Sequence, residues 1–418
     1  MKRVLLVVLL GLLAVPLGAQ ALLERDLQEV SLDRAYLAQL DTACTLRVPT
    51  RGMTDQMQSG RCWLFSTLNI LRAEAMQAHP ELGEFYFSFV YCQYWDVYEK
   101  SARWLDAASR HSREGLRSRM NDHLFKKPIG DGGHWLNAAH LIDKYGLVPL
   151  DVMPEVWSGT HNKTLMRTVL TILRRYGIRF RETPRREHPA IREAALADVR
   201  KVLDALLGVP PQEFTWQGKS WTPASFRDCY VAHDMERDYA IFANDPSLPY
   251  YRVYAVDESR NCPERSNWTF LNLPADVIDS LGVASLRGGR MYYISADVTR
   301  EGDDRLGVYD TRLHRYQDVL GVDLTMDKRA QAMAVESRSD HAVAVCGVRL
   351  SPDGKAEQWL IENSFGADRG WGGFVIMGAE WLDKYQWRCV VEKRFVPADL
   401  QKRLAARPRR LPAWYPLY

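Results

Sequence analysis

The chain has 418 residues, enough to bury a large core or to form two or three domains. With 46% hydrophobic and 26% charged residues its composition is that of a folded globular protein. The net charge of +3, about +1 without Lys2 and Arg3, argues against bulk nucleic-acid binding.

Lys2 and Arg3 precede an uncharged run from Val4 to Leu23 that contains Pro16, Gly18 and Ala19-Gln20-Ala21. A basic start, an apolar middle and small residues at the end predict a secretory signal peptide over 1–21 and an exported, periplasmic or secreted product. The run is just long enough to span a bilayer as an anchor, but Pro16, Gly18 and the A-x-A pattern favour cleavage. No later stretch is long enough to span, so no stable membrane anchoring is expected after cleavage. Cys44, Cys62, Cys92, Cys229, Cys262, Cys346 and Cys389 are scattered, without a C-x-x-C or paired spacing. In an oxidising compartment six could pair and leave one free thiol, with no connectivity assigned by the spacing, but a large core does not need three disulfides, and Cys346 and Cys389 lie in apolar runs where cysteine is a small hydrophobe.

Residues 22–50 are mixed and polar. The stretch QMQSGRCWLFSTLNILR (56–72) then places Cys62 after a Ser59-Gly60-Arg61 turn, with Trp63, Leu64, Leu68 and Leu71 at helical spacing behind it. That is a thiol at the start of a buried helix, where free N–H groups and the helix dipole are expected to lower its pKa. Gln56 could bring a side-chain amide beside the sulfur. Helical periodicity resumes after His79-Pro80 through FYFSFVYCQYWDVYEK. Asp131-Gly132-Gly133 opens another helix, stopped at Gly146.

The stretch 154–186 is helical and basic, and 191–207 is an amphipathic helix stopped by Gly208-Val-Pro-Pro. Thr222-Pro223 reads as the N-cap and first position of a further helix. Near Ala240 the texture changes to short β-rich runs. From His341 on, HAVAVCGVRL, EQWLIEN, GGFVIM and RCVVEKRFV predict strands. Helices lie mostly before strands, an α+β layout in which the Cys62 helix faces a C-terminal sheet.

A cysteine nucleophile needs a base, and the base needs an orienting group. His341 starts a strand, where a rigid scaffold can carry it to a cleft edge. Asn363 follows 22 residues later at the end of the next strand. On neighbouring antiparallel strands the two side chains can sit together, the amide fixing the imidazole toward the sulfur. A metal site is not expected: there is no H-E-x-x-H or Cys/His cluster, and His134 and His140 are six apart. No cofactor motif is present.

Together, Gln…Cys-Trp, Asp-His-Ala and Asn-Ser-Phe-Gly resemble the papain superfamily. MTDQMQSGRCWLFSTLNILR, DGGHWLNAAHLIDKYGLVP, GVPPQEFTW, TPASFRDCYV, FANDPSLPYYRVYAV, LNLPADVI, DHAVAVCGV, IENSFG and LPAWYPLY resemble its bleomycin hydrolase or aminopeptidase C branch in order along nearly the whole chain. The 279-residue gap from Cys62 to His341 exceeds the roughly 130 to 150 of simpler members by a large insertion.

The resemblance implies a papain-like α+β fold divided as a helical lobe (22–154), a mainly helical insertion used for oligomer contacts (155–270), a β lobe (271–400) and a C-terminal arm (401–418). It implies peptide substrates, a hexamer, and a thiol peptidase with Cys62 as nucleophile, His341 as base, Asn363 as orienter and Gln56 at the oxyanion. In the family the arm lies in the cleft and its terminal carboxylate, here that of Tyr418, captures the substrate's α-amine. The DNA binding of some members is not expected, given the near-zero net charge.

Some positions depart from the pattern. Ser339-Asp340 stand where Met-Thr is common, Phe365 where Trp is usual, and Tyr415 where Asp is usual. The arm stops at Tyr418, earlier than the resemblance predicts, which favours a more open cleft with di- or tripeptidyl or endopeptidase cutting. A non-catalytic scaffold that kept the fold is the remaining alternative.

Overall fold

The computed structural model describes residues 22–416; the predicted signal peptide and Tyr418 lie outside them. The Cys62–Ala78 helix is buried on nearly every side, from Trp63 through Ala73, so its apolar positions mark no single face. Phe89–Arg110, capped by the Ser88 hydroxyl, and Trp135–Tyr145 pack against it. Lys163–Glu182 and His188–Leu207 form an antiparallel pair leaning on Phe89–Arg110.

Gly146 ends Trp135–Tyr145 at φ +74°, and a Cβ there would stand 2.3 Å from the Pro223 backbone. The Thr222–Ser225 capping box opens the Pro223–Tyr230 helix at that contact. The turn signals of both segments thus mark one packing junction.

Twelve strands among the described residues share one sheet. At its centre His341–Leu350 lies antiparallel between Tyr292–Ala296 and Ala356–Glu362, and Ala356–Glu362 continues to Phe374–Gly378. On the other side Tyr292–Ala296 pairs with Gln386–Glu392, followed by Tyr239–Ala243, Thr269–Asn272 and Arg252–Val256. The β-rich runs after residue 239 therefore belong to the main sheet, beyond the helices that precede them. Arg409–Leu411 adds a parallel edge strand to Arg252–Val256.

The central strands are buried on both faces, which is why they read as near-continuous apolar runs. All seven cysteines are free. No helix of the described residues is long and apolar enough to cross a membrane.

Candidate active site

The helix start at Cys62 has no side-chain cap, so its first N–H groups stay available at the cleft. The helix is pinned to the sheet one turn on: the Ser66 hydroxyl contacts both the Cys62 carbonyl and the Ala342 carbonyl at 2.8 Å. That contact brings Cys62 to the first residues of the His341 strand, where the Ala342 and Trp63 backbone N–H groups face the half-buried sulfur.

His341 and Asn363 meet as the spacing predicts. Asn363 Oδ1 lies 2.8 Å from His341 Nε2 and also accepts from the Ser364 N–H at 2.9 Å. Because the Ser364 amide can only donate, this second bond fixes which amide atom faces the ring. Nε2 then carries the proton, leaving Nδ1 as the imidazole's acceptor. Phe365 stacks on the ring, centroids 4.6 Å apart, so phenylalanine supplies the aromatic shield over the pair.

Gln56 is held at both ends of its amide. Nε2 donates to the Ser59 carbonyl at 2.7 Å, and Oε1 accepts from Ser364 Oγ at 2.7 Å. The Gln56 backbone N–H also donates to the Ser364 carbonyl at 2.9 Å. Ser364 therefore joins the loop before Cys62 to the strand end that carries Asn363. Ser364→Ala is expected to leave Gln56 Oε1 buried without its donor and to lower kcat about tenfold with KM little changed. Steady-state kinetics on an aminoacyl amide check this; an unchanged kcat would remove Ser364 from the positioning of Gln56.

The loop itself is clamped from the helical side. The Gly60 N–H donates to Asp131 Oδ2 at 2.6 Å, and Asn162 donates to the same oxygen at 3.0 Å. A Cβ on Gly60 would meet that carboxylate at 2.7 Å. Burial pushes the Asp131 carboxyl up, but the Gly60 N–H, Asn162 and Lys100 hold it below its usual range. Arg61, 1% exposed, makes a bidentate pair with Glu155 at 3.0 and 2.7 Å and reaches Ser59 Oγ at 2.9 Å. Sequence reasoning assigned no role to Arg61, Glu155 or Ser364, and took Asp131 only as a helix opener.

The electrostatics correct one expectation. Burial pushes the Cys62 thiol up to about 11, outweighing the Ala342 and Trp63 N–H groups, while the Asp340 and Asp131 charges add to the rise. Burial likewise holds His341 down at about 4 despite its bond to Asn363. The helix start alone does not create a thiolate, because dehydration costs more than the N–H groups return. A charged sulfur here needs a cation to offset the loss of water. Asp340, carried up to about 6 by burial, accepts from the Val298 N–H.

Two side-chain groups have metal-ligand spacing among the described residues, Glu74–His233–Glu392 and Glu99–Cys262–Glu264. Protein cations already serve them: Arg290 lies 3.2 Å from Glu392, and Lys144 bridges Glu99 and Glu264 at 2.7 and 2.6 Å.

The sequence profile of the Peptidase C1-like family matches residues 14–418. The chain is 31% identical to aminopeptidase C of Lactobacillus helveticus, over 92% of this chain and 89% of that protein. It is 29% identical to the bleomycin hydrolase of Homo sapiens, over 94% and 91%. The crystal structure of PepW from Lactobacillus rhamnosis HN001 superposes with a TM-score of 0.92 at 28% identity, covering 97% of this chain and 95% of that one.

Proposed function

We propose, for a chain that belongs to the Peptidase C1-like family and has its papain-like α+β fold, that it hydrolyses peptides as an aminopeptidase C- or bleomycin hydrolase-like thiol peptidase with Cys62 as nucleophile. The observation that carries the mechanism is the His341 Nε2–Asn363 Oδ1 contact at 2.8 Å, with the amide's orientation fixed by Ser364. It leaves Nδ1 unprotonated and so able to take the thiol proton.

In the first half-reaction the Cys62 proton passes to His341 and the sulfur attacks the scissile carbonyl carbon. Negative charge collects on the carbonyl oxygen, which the second Gln56 Nε2 hydrogen and the Cys62 N–H stabilise. The C–N bond then breaks as the imidazolium gives its proton to the leaving amine. In the second half-reaction His341 takes a proton from water, the hydroxide displaces the sulfur, and the acid product leaves. Asn363 orients the ring throughout.

Alkylation by a neutral epoxide tests both the nucleophile and its partner. Proton transfer inside the Cys62–His341 pair changes no net proton count, so the labelling rate should be flat at neutral pH. It should fall only as His341 is protonated, near 4, and rise only as the thiol ionises alone, near 11. Cys62→Ala should abolish labelling. Equal labelling of both proteins would end the nucleophile reading, and a tenfold rise per pH unit through neutrality would end the pairing.

A second reading is cutting in di- or tripeptide steps or internally, which a more open cleft would allow. Hexamer assembly and export stay part of the proposal on the resemblance and on the basic-apolar start of the sequence. Gel filtration with light scattering, and N-terminal sequencing of the exported product, test them.

A further inference from the structure

The helical side of the molecule carries a concentration of charge that the bulk balance hides. Residues 110–127 and 163–186 hold 14 basic and 3 acidic residues, a surplus of +11 in a chain whose net charge is +3. The two segments lie together. On the Lys163–Glu182 helix, Arg174 donates to the Lys126 carbonyl at 2.8 Å, and Arg181, two turns on, donates to Asn121 Oδ1 at 3.1 Å. Arg185 reaches the Arg110 carbonyl at 3.4 Å. The helix therefore runs alongside the other segment, and both sets of cations share one face.

Part of this charge is matched locally: Lys126 meets Asp122 at 2.8 Å, and Arg175 meets Asp198 at 2.7 Å. Arg113, Arg117, Lys127, Lys163 and Arg167 are exposed and, among the described residues, have no carboxylate in ion-pair range. Aliphatic side chains stand among them. Leu116 is 71% exposed and Ile178 44%. The Leu116 carbonyl accepts from Asn121, the residue that Arg181 holds, and Ile178 lies one turn before Arg181, so both flank the same contact.

Unpaired cations interleaved with exposed aliphatic groups fit the surface of an anionic bilayer. Lipid phosphates take the guanidinium and ammonium heads, and a leucine or isoleucine beside them enters the acyl boundary. A nucleic-acid backbone offers aliphatic groups no such partner, and proteins that bind single strands use aromatic platforms in a groove. Here the cations lie along the outer side of a helix of 20 residues, about 30 Å long, an extended strip rather than a groove. Two copies of the strip repel one another, so a symmetric contact between copies does not cover it.

We propose that this face is a peripheral docking surface for anionic lipid headgroups, which holds the protein reversibly against a bilayer. The inference goes beyond the peptidase reading and does not depend on it.

Co-sedimentation of the mature chain, from residue 22 on, with two kinds of vesicle tests it: phosphatidylcholine alone, and phosphatidylcholine with roughly one lipid in three replaced by phosphatidylglycerol. Only the second should capture the protein, at about 0.1 M salt and not at about 1 M, where the screening length falls from about 10 to about 3 Å. Combining Arg113→Gln, Arg117→Gln, Lys127→Gln and Arg167→Gln should weaken capture more than a hundredfold, about fivefold for each cation. The same change at Arg287, Lys355, Lys402 and Arg407, exposed outside both segments, should leave it nearly unchanged. Leu116→Ser should weaken it about tenfold with no change in charge, the contribution of one aliphatic side chain. Circular dichroism reports whether each variant is folded, and if a fourfold variant is not, Leu116→Ser and the salt series decide. Equal capture by both vesicles, or equal loss in the two fourfold variants, would overturn the proposal. So would duplex DNA bound at about 0.1 M salt when phosphatidylglycerol vesicles are not, which would assign the face to nucleic acid. A variant altered only in its assembly mass by light scattering would assign it to a second copy and overturn the proposal as well.

Discussion

His341→Ala is expected to lower kcat/KM for an aminoacyl amide by roughly 10⁴- to 10⁶-fold, the scale seen when one member of a nucleophile–base unit is removed. The physical reason is the environment of Cys62. Pushed up by desolvation and further by the charges of Asp340 and Asp131, the thiol sits near 11 and does not ionise alone at neutral pH. His341, buried and near 4, does not hold a proton alone either. In the proposed mechanism each charge is tolerated only with the other present, so deleting the imidazole should remove the thiolate as well as the acid that protonates the leaving amine. The variant should still fold, since Ser364 continues to orient Asn363 and Ser66 still pins the helix to Ala342. Its residual epoxide reactivity should climb with pH toward 11, unlike the flat wild-type profile. Activity within tenfold of wild type would show that another base serves Cys62.

The groups legible in the sequence are those whose chemistry and local period coincide. Cys62 heads a helical pattern, His341 opens a near-continuous apolar run, and Asn363 closes the next. A strand pair then places His341 and Asn363 side by side without further information. Phe365 reads as a shield only through the resemblance, which has tryptophan at that position. The supports were not legible, because each joins residues far apart: Gly60 to Asp131 across 71 positions, Arg61 to Glu155 across 94, Gln56 to Ser364 across 308. No local pattern marks such partners. Proton affinity failed for a related reason. A helix start predicts a lowered thiol pKa, but desolvation is set by the elements that close over it. The strands after residue 239 show the same split: their β texture was plain, their place in the main sheet was not.

Breaking the Arg72–Glu362 pair is expected to cost about 3–5 kcal/mol of stability, the range for removing one partner of a buried ion pair. Arg72 Nη2 lies 2.5 Å from Glu362 Oε1, with side chains 2% and 0% exposed, and its guanidinium rests on the Tyr86 ring at 4.7 Å. Burial pushes the Glu362 carboxyl up and Arg72 pulls it back. Glu362→Gln strands the guanidinium, Arg72→Met strands the carboxylate, and each should lower the urea midpoint. The double variant Arg72→Met with Glu362→Leu removes both charges and should recover most of the loss. Strict additivity of the single effects would rule out the coupling. The pair also matters for position. Cys62, Ser66 and Arg72 lie along one helix, and Arg72 stands about 15 Å beyond Cys62 at 1.5 Å per residue. Ser66 binds the residue after His341, and Arg72 binds the residue before Asn363. Two separated pins fix both the rotation and the axial slide of the helix against the strands that carry its partners. Glu362→Gln protein kept folded well below its urea midpoint should therefore lose kcat more than KM rises, because slack in the second pin misplaces Cys62 against His341 rather than weakening peptide binding.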